Sequence, residues 1–462
     1  MESEKDGARP LTGWGRTAPS MARVIEATAP AQLAEVIRSA GARGIVARGL
    51  GRSYGDPAQN AGGLVIGMRG LREWHSLDVE AGLVTVDAGV SLDELMRRLL
   101  PFGLWVPVLP GTRQVTVGGA IAADVHGGNH HSQGSFCDHV VSLDLLTSDG
   151  QVRTLTQDGT EPVGDFGVSA SELFWATAGG MGLTGIVLRA TIRCKRVETS
   201  YFLVDVEQVR DFDELLTRLQ DNDDYYTYSK SWFDSVTTGA RMGRGTLQRY
   251  ESATLSDLPE KLRTDPLKFD APQLATVPDI LPNGMLNKLT ARVFNELWYR
   301  RSPTRFGVVQ NITEAFHPLD IVGEWNRVYG SRGFLQYQFV VPFGAEDALR
   351  ATVETISSSG HVSALNVLKR FGAGNRSPLS FPTHGWTLAV DMPVRPGLHE
   401  LCETLDELVV SAGGRLYLAK ESRTTPEMIQ QMYPRIDEWR KVRASVDPHG
   451  VFSSDLSRRL ML

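Results

Sequence analysis

The stretch Ala47-Arg48-Gly49-Leu50-Gly51-Arg52-Ser53-Tyr54-Gly55-Asp56 constrains this chain more than any other. Apolar residues ending at Val46 predict a short strand, and three glycines then follow within seven positions. Glycine permits positive φ and lets backbone N–H groups approach a ligand with no Cβ in the way, so such a turn can build an anion-binding nest. Its natural guest is a phosphate or pyrophosphate; the alternative is an ordinary hairpin. Two common phosphate loops are excluded, because no Lys follows Gly55 as a P-loop requires, and Tyr54 occupies the place of the third glycine in a dinucleotide fingerprint.

Downstream residues favour the ligand loop. A second glycine pair, Gly118-Gly119, opens the apolar run that leads to His126-Gly127-Gly128-Asn129-His130-His131, and a third group spans Gly179 to Gly185. Three glycine loops joined to short β-rich segments suit one long ligand, and a dinucleotide is long enough. Between them Ser91 and Glu94 form a capping box for a helix whose apolar stripe is Leu92, Leu95, Met96 and Leu99, ended by Pro101. At 462 residues the chain exceeds one ordinary core, which predicts two domains or one domain with a large insert.

The net charge of -6 argues against a nucleic-acid partner, whose affinity would need a basic face. Cys137, Cys194 and Cys402 are far apart and lack a C-x-x-C pair, so they read as structural thiols. The leader with Glu2, Glu4, Lys5 and Asp6 lacks an apolar core, and no run of about 18 apolar residues occurs, so neither a signal peptide nor a spanning helix is expected. His126, His130, His131 and His139 have no Glu or Cys at a recognisable ligand spacing, and no metal is expected.

Between residues 199 and 413 strands and helices alternate, as in an open sheet with helices on one face. Gln336 and Gln338, Thr387 and Ala389, and Lys369 and Phe371 are pairs two residues apart and so share a strand face, which is either a polar outer surface or a ligand site. Residues 255 to 330 look least regular, broken by Pro259, Pro266, Pro272, Pro278 and Pro282. There Leu297-Trp298-Tyr299-Arg300-Arg301, with Lys288, Arg292 and Arg305, suggests either a mobile lid suited to a phospholipid surface or a solvated loop.

The ordered motifs together resemble the vanillyl-alcohol-oxidase class of FAD enzymes with a PCMH-type FAD-binding domain. They are Gly49 to Asp56, Ala88 to Leu95, Pro107 to Gly111, Val117 to Gly127, Gly182 to Val187 and Tyr433 to Trp439. His126 to His131 and Ala419-Lys420-Glu421-Ser422-Arg423 resemble the actinobacterial branch that oxidises a polyprenylphosphoryl ribose. The resemblance covers essentially the whole chain.

It implies an α+β fold with a two-lobed FAD-binding domain over residues 1–198, completed by 414–462. A substrate domain, 199–413, would carry an antiparallel sheet covered by helices and a lid at about 255–330. Bound FAD would touch Ala47, Arg48, Gly49, Leu50, Gly51, Arg52, Ser53, Tyr54, Gly55, Asp56 and Pro57. Gly111, Thr116, Val117, Gly118, Gly119, Ala123, Asp124, Val125, His126, Val187 and Tyr417 would line the rest. Trp232, Phe316, Gln336, Gln338, Lys369, Phe371, Thr387 and Ala389 would face substrate.

Lys420, read at the end of a strand Leu416 to Ala419, would stabilise negative charge on the reduced flavin or hold the substrate oxygen, and His126 or Tyr54 would relay the proton. The reaction implied is oxidation of the ribose 2′-hydroxyl to a 2′-keto sugar, the first half of an epimerisation serving cell-wall arabinan. An NADH-dependent keto-reductase would be the partner, and the enzyme would contact the membrane peripherally, on the periplasmic face by this resemblance, with the cytoplasmic face as the alternative. A soluble sugar or alditol oxidase using O₂ is the alternative. The sequence departs from the branch at Ala389, Gly128 and Phe316, where members carry Cys, Lys and Tyr.

Relatives that attach FAD covalently often carry His where Tyr54 stands, and a phenol offers no comparable route to the flavin. Acid precipitation should therefore release all yellow colour into the supernatant; colour retained in the pellet would show a covalent link.

Overall fold

Leu64-Val65-Ile66-Gly67 is buried at every position, as a strand flanked by parallel neighbours must be. It lies between Ser20–Glu26 and Ile45–Arg48 in a four-stranded sheet closed at one edge by Arg9–Leu11. The helix Pro30–Arg38 buries Leu33 and Ile37 against this sheet. The computed structural model describes residues 7–462; the acidic leader residues named above lie outside the described residues.

A second sheet of five antiparallel strands runs in the order Trp74–Asp78, Leu83–Asp87, Ile186–Arg193, Val140–Leu146, Val152–Thr156. The helix Leu92–Leu99 has the expected capping box and buries Leu92, Leu95, Met96 and Leu99. The α-helix ends at Leu99, as the nearby proline predicts, and Pro101 lies in the 3₁₀ turn Leu100–Phe102 that follows and closes on left-handed Gly103.

The third sheet is the largest, with eight strands in the order Arg305–Asn311, Tyr201–Val209, Gly245–Ser252, Tyr228–Phe233, Asn366–Phe371, Gly385–Pro393, Phe334–Pro342, Arg415–Leu416. Each neighbouring pair is antiparallel. Helices cover one face, anchored where Trp386 Nε1 donates to Glu346 and the Tyr337 hydroxyl donates to Asp406. The opposite face meets segments outside the two smaller sheets, bringing Phe202 against Trp105, in the short pairing of Leu104–Trp105 with Lys195–Arg196, and Gln338 against His126, in the loop after the helix Val117–Ala122. The fold is thus α+β, with two small lobes and a helix-covered antiparallel sheet.

Residues 255 to 330 are more regular than the prolines suggest, because the prolines fall between elements. Arg305–Asn311 is an edge strand of the large sheet, and Lys288–Arg301 is a 14-residue helix N-capped by Asn287, which accepts from Leu289 and Thr290. Leu297 to Arg301 form its last turn, and Leu289, Val293 and Leu297 are exposed along it. Among the described residues no helix is long and apolar enough to cross a membrane.

The chain's end returns to its beginning. Phe452 bridges Ile45, and the Asp455–Leu460 helix presents Arg459, whose guanidinium donates to both oxygens of Asp56 at 3.0 and 2.9 Å and to Glu421 at 2.8 Å. Removing one partner of a largely buried ion network leaves uncompensated charge. Arg459→Ala should therefore lower unfolding free energy by about 3 kcal/mol, the lower end of the range for such losses because Arg459 keeps some solvent contact. Denaturant midpoints of parent and variant measure it; an unchanged midpoint would remove this clamp from the account.

Candidate functional site

The first glycine loop is held by close approach more than by unusual dihedrals. A Cβ on Gly49 would lie 2.2 Å from Thr116 Oγ1, and one on Gly55 would lie 1.8 Å from the Glu421 carbonyl; Gly51 alone of the three has positive φ, at 66°. Among the described residues nothing in the chain accepts from the backbone N–H groups of Leu50, Gly51, Arg52 and Ser53. These four successive unpaired donors suit the oxygens of a phosphate group.

Several side chains expected to bind cofactor instead brace the loop. Arg48 donates to Ala58 and Thr12 carbonyls, and Arg52 donates to the Leu50 carbonyl while lying 4.0 Å over the Trp14 ring. Asp56 is held by Arg459. Asp124, in left-handed backbone at φ 37°, accepts from Ser380, Asn375 and the Cys137 N–H, so it pins residues 375 to 380 against the lobe. Carboxylates turned toward a pyrophosphate would repel it, so only the backbone of positions 56 and 124 remains available for that role.

Thr116 caps Val117–Ala122 by accepting from Gly119, while the Val117 and Gly118 N–H groups are used by Val90 and Ala88 carbonyls. This glycine pair therefore forms a close-packed wall and not a donor nest. Gly111 has open space about its Cα, Ala123, Val125 and Val187 are buried, and Pro57 follows Asp56 into the interior.

The large sheet turns Trp232, Lys369, Phe371, Thr387, Ala389, Gln336 and Gln338 to the face opposite its helices, as alternation requires. Gln338 Nε2 lies 3.0 Å from His126 Nε2 and 3.5 Å from Thr387 Oγ1. His126 packs between Phe371, Phe381 and Tyr417, and the Tyr417 hydroxyl donates to the Ala123 carbonyl. Burial first, then the cations Lys369 and Lys420, lower its proton affinity well below the usual histidine range, so the ring is neutral. Its Nδ1 is buried without a partner among the described residues, which marks it as available to a bound molecule.

Phe316 is enclosed by Trp105, Phe202, Tyr228 and Tyr250 and forms an aromatic floor beside this face. The other three histidines of that stretch turn to separate partners: His130 packs on Phe371, His131 pairs with the Tyr226 carbonyl and His139 with the Gln133 carbonyl. The three cysteines are unpaired thiols.

Lys420 is not at the end of a strand. Only Arg415–Leu416 pairs with the sheet, and Lys420 closes a turn in which its N–H donates to the Tyr417 carbonyl. The tighter turn carries the ammonium 3.6 Å above the Tyr54 ring centroid. Tyr54 is positioned from both sides, its N–H donating to the Ala419 carbonyl and its own carbonyl accepting from Gly15.

Asp391 is the residue missed by sequence reasoning. It accepts from Gln336 Nε2 at 2.6 Å and from the Tyr329 hydroxyl at 3.4 Å, and it is fully buried. Burial raises its proton affinity to about 7 and lowers that of Lys420 to about 7, while the opposite charges favour each other's ionised forms. Burial and Asp391 keep the Tyr54 phenol protonated. The clue was present: Asp391 continues the alternation of Thr387 and Ala389. The site therefore offers a cation over a phenol, two amides, a neutral imidazole and a carboxylate, suited to binding a polyhydroxy ligand and moving its protons.

Residues 21–156 match the FAD binding domain family, and residues 332–460 match the D-arabinono-1,4-lactone oxidase family. The chain is 56% identical over 456 residues to decaprenylphosphoryl-beta-D-ribose oxidase of Mycolicibacterium smegmatis, covering 98% of this chain and 97% of that protein. It is 39% identical over 383 residues to an uncharacterized protein in the mprA 5′ region of Streptomyces coelicolor, covering 81% and 100%. L-gulono-1,4-lactone dehydrogenase of Mycobacterium tuberculosis is 24% identical over 449 residues, 95% of each chain.

Burial also lowers the Lys369 proton affinity from 10.5 to about 8. The unfolded chain then binds the extra proton between those values, so this group makes stability rise with pH across that window. Unfolding free energies of the parent and Lys369→Met, measured from pH 7 to 10.5, should show a shallower rise in the variant; equal slopes would place Lys369 in solvent.

Proposed function

Since the chain belongs to the family of the decaprenylphosphoryl-β-D-ribose oxidase, and is an FAD-binding oxidoreductase, we propose that it oxidises the ribose 2′-hydroxyl of decaprenylphosphoryl-β-D-ribose to the 2′-keto sugar. The observation that carries this reading is the identity over 98% of the chain, joined to a site whose polar groups suit a sugar. We assign residues 1–198 and 414–462 to FAD binding and 199–413 to substrate, with the 255–330 segment as its lid.

Bound FAD would supply the hydride acceptor, its pyrophosphate taking the unpaired N–H groups of residues 50 to 53. Gln336 and Gln338 orient the sugar hydroxyls, and His126, whose Nε2 accepts from Gln338, carries its hydrogen on Nδ1 and donates it to a sugar oxygen. Lys420 sets a positive charge against the oxygen or ring on which negative charge grows, with Asp391 favouring its protonated form and Tyr54 supporting it from below. Exposed Leu289, Val293 and Leu297, beside Lys288, Arg292 and Arg300, support peripheral contact with a membrane. A keto-reductase using NADH would complete the epimerisation.

Anaerobic mixing with a polyprenylphosphoryl ribose, followed at the flavin absorbance, tests the activity. Rapid bleaching is expected with the lipid-linked sugar and not with free pentoses. Rapid bleaching by free alditols or aldonolactones would overturn the assignment in favour of a soluble sugar oxidase. Lys420→Ala should retain FAD and reduce it 10²- to 10³-fold more slowly, about 2.7 to 4 kcal/mol of lost transition-state stabilisation; a parental rate would leave Lys420 a structural residue.

A further inference from the structure

The site face of the large sheet carries a lysine, Lys230, that none of the roles above uses. The antiparallel pairs Ser231 with Leu368 and Trp232 with Val367, continued one step, set Lys230 directly across from Lys369. Side chains so placed on one face have Cβ atoms about 4.5 to 5.5 Å apart, and like charges there destabilise a sheet. Both lysines are half-buried, and among the described residues neither forms an ion pair. Lys230 Nζ donates to the Ala315 carbonyl at 2.6 Å and lies 5.1 Å over the Tyr250 ring. Burial, then Lys369, lowers its proton affinity to about 7. Asp391, the carboxylate on this face nearest Lys420, is already held by Gln336 and Tyr329.

Two facing cations enclosed without a counter-charge are stable where a ligand brings one. We propose that Lys230 and Lys369 seat the phosphodiester of a lipid-linked sugar, an inference that rests on the reading in the preceding subsection.

The neighbours on either side follow the order of such a substrate. Lys369 lies across from Thr387, which adjoins Gln338 and through it His126, on the side where the sugar would sit. In the other direction Trp232, two residues beyond Lys230, meets Trp298 edge-on at 6.3 Å, and Trp298 stacks on Phe294 at 6.1 Å. Those two rings belong to the Lys288–Arg301 helix, whose Val293 and Leu297 are exposed. An apolar path therefore leaves the cation pair where a prenyl chain would have to leave the phosphate.

Binding of farnesyl phosphate, farnesol and inorganic phosphate to the FAD-loaded protein, measured by calorimetry, tests the assignment. None of these ligands carries the oxidisable ribose, so the result is independent of whether the oxidase activity is correct, which flavin reduction reports separately. The parent should bind farnesyl phosphate at least tenfold more tightly than farnesol or inorganic phosphate. Lys230→Met should lose at least tenfold for farnesyl phosphate, keep its farnesol affinity, and unfold without ligand at no lower a midpoint than the parent, because the like-charge contact is gone. Lys369→Gln, on the facing strand, should show the same selective loss. Unchanged farnesyl phosphate affinity in both variants, or equal binding of farnesol by the parent, would overturn the proposal. Equal binding of inorganic phosphate would mean a free-phosphate site and would overturn it as well.

Discussion

The Arg459 guanidinium, gripping Asp56 on one side and Glu421 on the other, is the interaction on which the site depends. It ties the first glycine loop to the segment that delivers Lys420. The contact is close enough that Gly55 has no room for a side chain beside the Glu421 carbonyl. With the two segments locked at backbone distance, the Lys420 ammonium has one place to go, over the Tyr54 ring. A charge-assisted fork is suited to this because it fixes angle as well as distance.

The electrostatics of the sheet face follow from burial working on an unbalanced set of groups. Lys230, Lys369 and Lys420 are all lowered in proton affinity, His126 and His130 are kept neutral, and Asp391 is raised. Desolvation penalises every charge, but an excess of cations leaves a positive potential that an incoming anion relieves. The same face therefore suits a ligand that carries or develops negative charge. Its hydrogen-bonding groups are fixed by one another, as where Gln338 joins His126 to Thr387, so little reorganisation is left for the moment of reaction.

Local chemistry determined a good deal of this protein. Ser91 and Glu94 cap their helix because the capping box needs residues only three apart, and the glycine loop follows a strand because both signals lie within ten residues. Strand alternation likewise put Gln336 with Gln338 and Thr387 with Ala389, since side chains two apart share a face whatever the sheet packs against. What alternation leaves open is whether that face meets solvent or a site. That was decided by which lobe the sheet covers.

The remaining features arise between residues distant in sequence, where no local pattern reaches. The prolines of residues 255 to 330 suggested irregular chain, but the Arg305–Asn311 strand exists because the Tyr201–Val209 strand offers it an open edge. Lys420 turns off the sheet because the Glu421 backbone must meet Gly55. Asp391 and Lys230 read as unremarkable strand residues until the fold sets one near Lys420 and the other across from Lys369. The sequence by itself determined the residue types, the capped helices and the strand faces, because those depend on neighbours along the chain. Only the tertiary structure decided which charges lack a partner, because desolvation and counter-charge are properties of the space around a group and not of its place in the sequence.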